Sequence, residues 1–141
     1  MYLLDTDHFG ILQQRSGPEF YRMEKKLAEH VEDEIYVPII AFHEQVTGWA
    51  AYLNQKRTPE QTTKAYERFA AILHDFSEAE IAGFDAAAVG LFNFLRSQGV
   101  RIGTMDLRIA SIALARNWTV LTRNTVDFAK VPNLKIEDWT I

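Results

Sequence analysis

Residues 2–6 read Tyr-Leu-Leu-Asp-Thr, and residues 119–122 read Thr-Val-Leu-Thr. Each is a short run rich in β-branched or large apolar residues, which suits a buried strand. Between and around them the spacing changes to a helical period. A helix is expected from Asp7 to about Gln14, and Ser16-Gly17-Pro18 breaks it, with Pro18 suited to the first turn of the next helix. Phe20, Met23, Leu27, Ala28 and Val31 recur at three- and four-residue spacing along that second helix. Ile35-Tyr36-Val37 reads as a second strand stopped at Pro38, and Leu134-Lys135-Ile136 as a last one. Ile39, Phe42, Val46, Trp49, Ala50 and Leu53 mark a helix face; Tyr66, Phe69, Ala70 and Leu73 mark a core-facing stripe on the next helix, after a break at Arg57-Thr58-Pro59. His74-Asp75-Phe76 fits a short strand or a turn. Ser77 with Glu80 has capping-box spacing ahead of a long helix ending near Gly99, and Thr104 is placed to cap a helix from Met105 to Asn117. Short strands alternating with helices predict an α/β fold with a mostly parallel sheet. No repeat or linker interrupts residues 1–141, so a single domain is expected.

Composition narrows the chemistry. The 141 residues include 48% hydrophobic and 24% charged side chains, which suits a folded globular chain. Cys is absent, which removes disulfides, thiol nucleophiles and thiolate zinc sites. No apolar run approaches the ~20 residues of a membrane span, and Asp5 and Asp7 interrupt any signal peptide, so a cytoplasmic protein is expected. The net charge is −4, yet Arg101, Arg108, Arg116, Arg123 and Lys130 face only Asp106 and Asp127 in the segment 101–130. Such a local excess is either solvated surface or a rim for phosphates.

The acids fall where a site would form. In open parallel sheets, ligands bind beyond the carboxyl ends of the strands. Asp5 ends the first strand, Asp127 follows the strand at 119–122, Asp106 lies in the first turn of a helix, and Glu44 lies in the helix after the second strand. Glu44 shares its face with Ala41, Gly48 and Ala51, and Asp106 with Ala110 and Ala113. Each acid also has a bland reading: Asp5 or Asp7 as a helix cap, Glu44 as a solvated residue, Asp106 as a partner of the helix dipole, Asp127 as a turn closer. Gathered together, they would repel one another unless a proton or a divalent cation lay between them. An oxygen-only donor set suits Mg²⁺ or Mn²⁺, ions that assist displacement at phosphorus.

Three segments stand out: Met-Tyr-Leu-Leu-Asp-Thr-Asp at 1–7, Ile-Gly-Thr-Met-Asp-Leu-Arg-Ile-Ala-Ser-Ile-Ala at 102–113, and Thr-Val-Leu-Thr-Arg-Asn-Thr-Val-Asp-Phe at 119–128. In this order they resemble the PIN-domain proteins, and in particular the VapC-like toxins of type II toxin–antitoxin modules. The resemblance implies a three-layer α/β/α fold around a short sheet. It assigns Asp5, Glu44, Asp106 and Asp127 to an acidic cluster holding Mg²⁺ or Mn²⁺, and Thr6, Thr122 and Asn124 to positions that orient ligands or water. It implies an endoribonuclease acting on a structured RNA such as tRNA, with Arg108, Arg116 and Arg123 steering phosphates. It also implies a homodimer and an antitoxin partner, for which the helix bearing Trp49, Tyr52 and Leu53 is a candidate surface if these residues are not core. In the second segment, Ala41 and Gln45 stand where the family often has a hydroxyl residue and Leu.

Three other readings compete. Asp5-Thr6-Asp7 resembles the acid pair of haloacid-dehalogenase-type phosphatases, although Phe9 stands where Thr or Val is expected. His8 and His43 could act as acid and base without metal. A PIN fold could also serve only as an RNA- or protein-binding module.

Overall fold

The computed structural model describes residues 1–141. The chain starts in the middle of its own sheet. Strand β1 (Tyr2–Leu4) leads into α1 (Thr6–Gln14) and α2 (Pro18–Glu29); β2 (Ile35–Pro38) leads into α3 (Ile39–Leu53) and α4 (Pro59–Ser77). Then come β3 (Ile81–Ala82), α5 (Ala86–Ser97), α6 (Thr104–Arg116), β4 (Thr119–Leu121), the single turn α7 (Thr125–Phe128) and β5 (Lys135–Glu137). The strand order is β3-β2-β1-β4-β5, and every pairing is parallel. Parallel neighbours need crossover connections, which here are the helices on the two faces.

Alternation along β1 and β4 divides the core. Leu3 and Val120 face a cluster with Ile109 and Ile112 of α6 and Phe92 and Leu95 of α5. Leu4 and Leu121 face the other side, with Phe9 of α1, Met23 of α2, Ala41 of α3 and Ile72 and Phe76 of α4. The expected α/β/α sandwich is thus present. No helix is long and apolar enough to cross a membrane.

Several local expectations are corrected. On α4 the buried stripe is Ala65, Ile72 and Phe76, while Tyr66 and Leu73 are exposed. Val31 lies beyond the end of α2 and is exposed. Residues 74–76 continue α4 rather than forming a strand, and Ser77 donates to the carbonyl of His74 instead of opening a helix. The capping box belongs to Thr58 and Gln61, and Asp85 caps α5 by accepting from the N–H of Ala88. Gly103, not Thr104, is the N-cap residue of α6.

Candidate metal and nuclease site

The sheet order creates the site. Strands β1, β2 and β3 run outward to one side, and the chain then returns to lay β4 on the other side of β1. The carboxyl ends of β1 and β4 flank this reversal, where open α/β sheets leave a crevice. Two residues beyond β1 and β4 meet there: Thr122 Oγ1 donates to Asp5 Oδ2 at 2.8 Å. Both are buried.

Asp5 also caps α1, accepting from the Thr6 N–H at 2.7 Å on Oδ1. The cap and ligand readings of Asp5 are therefore compatible, and Asp7 is not the cap but a first-turn residue. Thr6 Oγ1 donates to Glu44 Oε1 at 2.7 Å, which ties α3 to the start of α1. On the far side, the Asn124 N–H donates to Thr122 Oγ1 at 2.9 Å. Asn124 Nδ2 lies 3.4 Å from Asp106 Oδ2 and 3.1 Å from Asp127 Oδ2. One chain of hydrogen bonds thus runs Glu44, Thr6, Asp5, Thr122, Asn124, and forks to Asp106 and Asp127. All four sequence-predicted acids and all three polar partners belong to it.

The electrostatics mark a surplus of negative charge. Burial, then the charge of Asp7, raises the Asp5 carboxyl to about 7, with Asp106 adding to the rise and the bonds from Thr122 and Thr6 opposing it. Burial raises Asp106 as well, followed by the charges of Glu44, Asp127 and Asp7. Asp127 is held below its ordinary range by hydrogen bonds from Asn124 and Lys130. Gly103 lies beside Asp106: a Cβ there would meet Oδ2 at 3.7 Å, an ordinary contact. A hard divalent cation suits this oxygen donor set and would relieve the repulsion. No three His, Asp or Glu side chains close on one point as a finished cage. Mg²⁺ is commonly bound through one or two carboxylates and keeps several waters.

Asp7 is the residue whose part in the site the sequence left undecided. Its charge reaches both Asp5 and Asp106. Burial raises its own carboxyl, but the hydrogen bonds from His8 and the Arg123 N–H outweigh that and hold it low. Its place two residues after Asp5 is the signal, but in the sequence that position reads first as a helix cap. His8 is fully buried; its Nε2 accepts from the Trp139 N–H at 3.2 Å and its Nδ1 lies 3.0 Å from Asp7 Oδ1. That burial leaves His8 no route to substrate, which removes the metal-free His8–His43 pair.

The three arginines part company. Arg123 sits at the rim, paired with Glu19 at 2.9 Å and near Asp7 at 3.7 Å. Arg116 is held away from the acids by Asp85 at 3.1 Å and by the carbonyls of Gly83 and Ile112. Arg108 is half-buried against Met105 and Phe92. It is two residues after Asp106, about 200° around the helix.

No protein-family model matches the chain. It is 29% identical to ribonuclease VapC2 of Rickettsia felis over 99% of this chain and 98% of that one. It is 34% identical to the tRNA(fMet)-specific endonuclease VapC of Shigella flexneri, over 52% of this chain and 60% of that one. Among solved structures, VapBC2 of Rickettsia felis bound to a promoter DNA fragment superposes with a TM-score of 0.68 at 27% identity, covering 98% of each chain. VapBC-1 of nontypeable Haemophilus influenzae has the same fold, with a TM-score of 0.75 at 22% identity over 99% of this chain and 98% of that one. With similarity running the full length of the chain and the four acids gathered at the sheet's reversal, the chain resembles the VapC ribonucleases in sequence and shares the fold of the VapBC structures.

Proposed function

We propose that the protein is a metal-dependent endoribonuclease, the toxin of a type II toxin–antitoxin pair, that hydrolyses phosphodiester bonds in a structured RNA. The observation that carries this is the bonded chain joining Glu44, Asp5, Asp106 and Asp127 from four separate segments. The ribonuclease and tRNA-endonuclease names of its relatives support the reaction class, and tRNA is the first substrate to try. The VapBC complexes support an antitoxin partner. A homodimer in the cytoplasm completes the reading.

Asp5 and Asp106 would hold Mg²⁺ or Mn²⁺, with Glu44 and Asp127 beside them. The bound ion would supply Lewis-acid stabilisation of the phosphate charge and a more acidic water. The chain's own residues do the rest. Thr6 holds one oxygen of Glu44, leaving Oε2 to orient a water or take its proton. Asn124 fixes the carboxylates of Asp106 and Asp127 through one amide. Thr122 and the Thr6 N–H pin both oxygens of Asp5.

The test is digestion of total cellular RNA by the wild type and by Asp5→Asn, each with Mg²⁺ and with EDTA. Discrete fragments requiring both Asp5 and Mg²⁺ are expected, and end mapping names the bond. Cleavage that survives EDTA and the substitution would overturn the metal mechanism. Absence of cleavage by protein shown to bind Mg²⁺ would favour a binding module instead.

A further inference from the structure

A second feature begins one residue from Glu44. Gln45 points away from the acids into a groove of about 590 Å³ between α1, α3 and α4. Clefts of about 300–1,000 Å³ hold small-molecule-sized ligands. The walls are polar on all three helices. Gln13 and Gln45 exchange amide hydrogen bonds at 3.0 and 2.6 Å, and Gln13 Nε2 also donates to Asp75 at 3.2 Å. Two hydrogens of Gln13 are thereby used, while the Gln45 amide keeps one N–H for a ligand. Trp49, one turn after Gln45, lines the same groove with its indole braced by Tyr52 at 5.3 Å between ring centres. The Arg68 guanidinium stands 5.9 Å from the Trp49 ring.

Three of the five cations in the 101–130 segment are already paired, whereas Arg101 and Arg108 are not. Arg116, Arg123 and Lys130 each have a carboxylate partner. Arg15 and Arg68, at opposite walls of the groove, take part in none of the protein's ion pairs. The floor includes Gly10, a helical glycine whose missing Cβ would meet nothing within 4 Å. No packing contact requires glycine at that position, and its effect is to widen the groove. An aromatic ring, unpaired guanidinium groups and amides in one cleft form the kit that holds single-stranded nucleic acid: stacking for bases, cations for phosphates.

We propose that this groove seats unpaired nucleotides of the RNA substrate next to the acidic site, with Trp49 as the stacking platform and Arg15 and Arg68 as the phosphate contacts. It rests on the ribonuclease reading above and extends it to how the substrate strand is held. An apolar helix of a protein partner fits these polar walls less well.

The probe is a fluorescein-labelled single-stranded RNA of mixed sequence, about 12 nucleotides long, titrated by anisotropy in EDTA so that metal-dependent cleavage is off. Trp49→Ala should weaken binding by roughly 5- to 160-fold, the range expected from one lost base stack. Trp49→Phe should keep most of the affinity. Arg15→Gln and Arg68→Gln should each lower the slope of log affinity against log salt by about 0.7, the value for one phosphate contact on a single strand. Lys25→Gln on α2, outside the groove, should leave affinity and slope unchanged. Melting curves identify any variant that fails to fold, and the arginine variants alter only exposed side chains. Wild-type affinity and slope in folded Trp49→Ala and Arg68→Gln overturn the proposal and leave the groove to a protein partner. The two readings fail separately. Intact Mg²⁺-dependent cleavage with unchanged binding in the variants removes the groove and keeps the nuclease. Lost binding in the variants of a protein that cleaves no RNA keeps the groove and removes the nuclease.

Discussion

Helices α6 and α3 each bring one acid to the site, and they are built in opposite ways. Behind Asp106, α6 buries Leu107, Ile109, Ala110, Ser111, Ile112 and Ala113. Around Glu44, α3 buries only Ile40 and Ala41, both in its first turn, and its later half borders the open groove. Dense packing resists displacement, so Asp106 is carried on a fixed element. Glu44 is instead held in place by one hydroxyl, that of Thr6. The contrast separates a rigid side, suited to holding a cation, from an adaptable side, suited to following a substrate.

The largest effect should fall on the rigid side. Asp106→Asn and Asp5→Asn are expected to lower the RNA cleavage rate by about 10³-fold, the loss typical of removing a charge-stabilising group. Glu44→Gln should lose less, about 10²-fold, the lower range for a proton acceptor. Equal losses in single-turnover assays would make the two sides equivalent and break the contrast. Packing gives the next effect. Ile109→Ala should cost about 2–5 kcal/mol in urea unfolding, as fully buried aliphatic truncations do. Val46→Ala, at a half-buried position of α3, should cost less than about 1.5 kcal/mol.

The pH dependence sharpens the picture of Asp5. Its carboxyl is raised from 3.8 to about 7 on folding. Between those values the unfolded chain has released the proton and the native protein retains it, so native stability falls as pH rises through this window. Asp5→Asn removes that slope. In EDTA at pH 8 the variant should be more stable than the wild type, by on the order of 2 kcal/mol. Parallel melting curves for the two proteins from pH 4 to pH 8 would count against it. The smallest effect is on the groove: Gly10→Ala should gain about 0.5–1 kcal/mol of unfolding free energy in urea, because alanine relieves the glycine entropy term and the added methyl meets nothing.

The central strands and their acids were legible because apolar runs ending on Asp5 and Thr122 are local features. The bonded ends of those strands were also implied, since a parallel sheet places its ligands at one edge. The phase of α4 was not legible. Ala65, Ile72 and Phe76 and the exposed set of Tyr66, Ala70 and Leu73 are both helical stripes, one residue apart, and periodicity alone cannot choose between them. Two-residue β3 is too short to show alternation. Arg116 looked free because its partner Asp85 is 31 residues away in the chain. The groove escaped notice for the same reason: Arg15, Trp49 and Arg68 converge only after three helices have packed.

The Asp5–Thr122 bond spans 117 residues and joins the first strand to the fourth. During synthesis, the chain that emerges first waits for almost all of the rest before its central strand acquires a second neighbour. Contacts so distant in sequence form late. A ribosome stalled before Thr119 therefore releases a product with Asp5 but without Thr122, Asn124 or Asp127. The acidic centre is therefore complete only after residues 119–127 have docked beside β1.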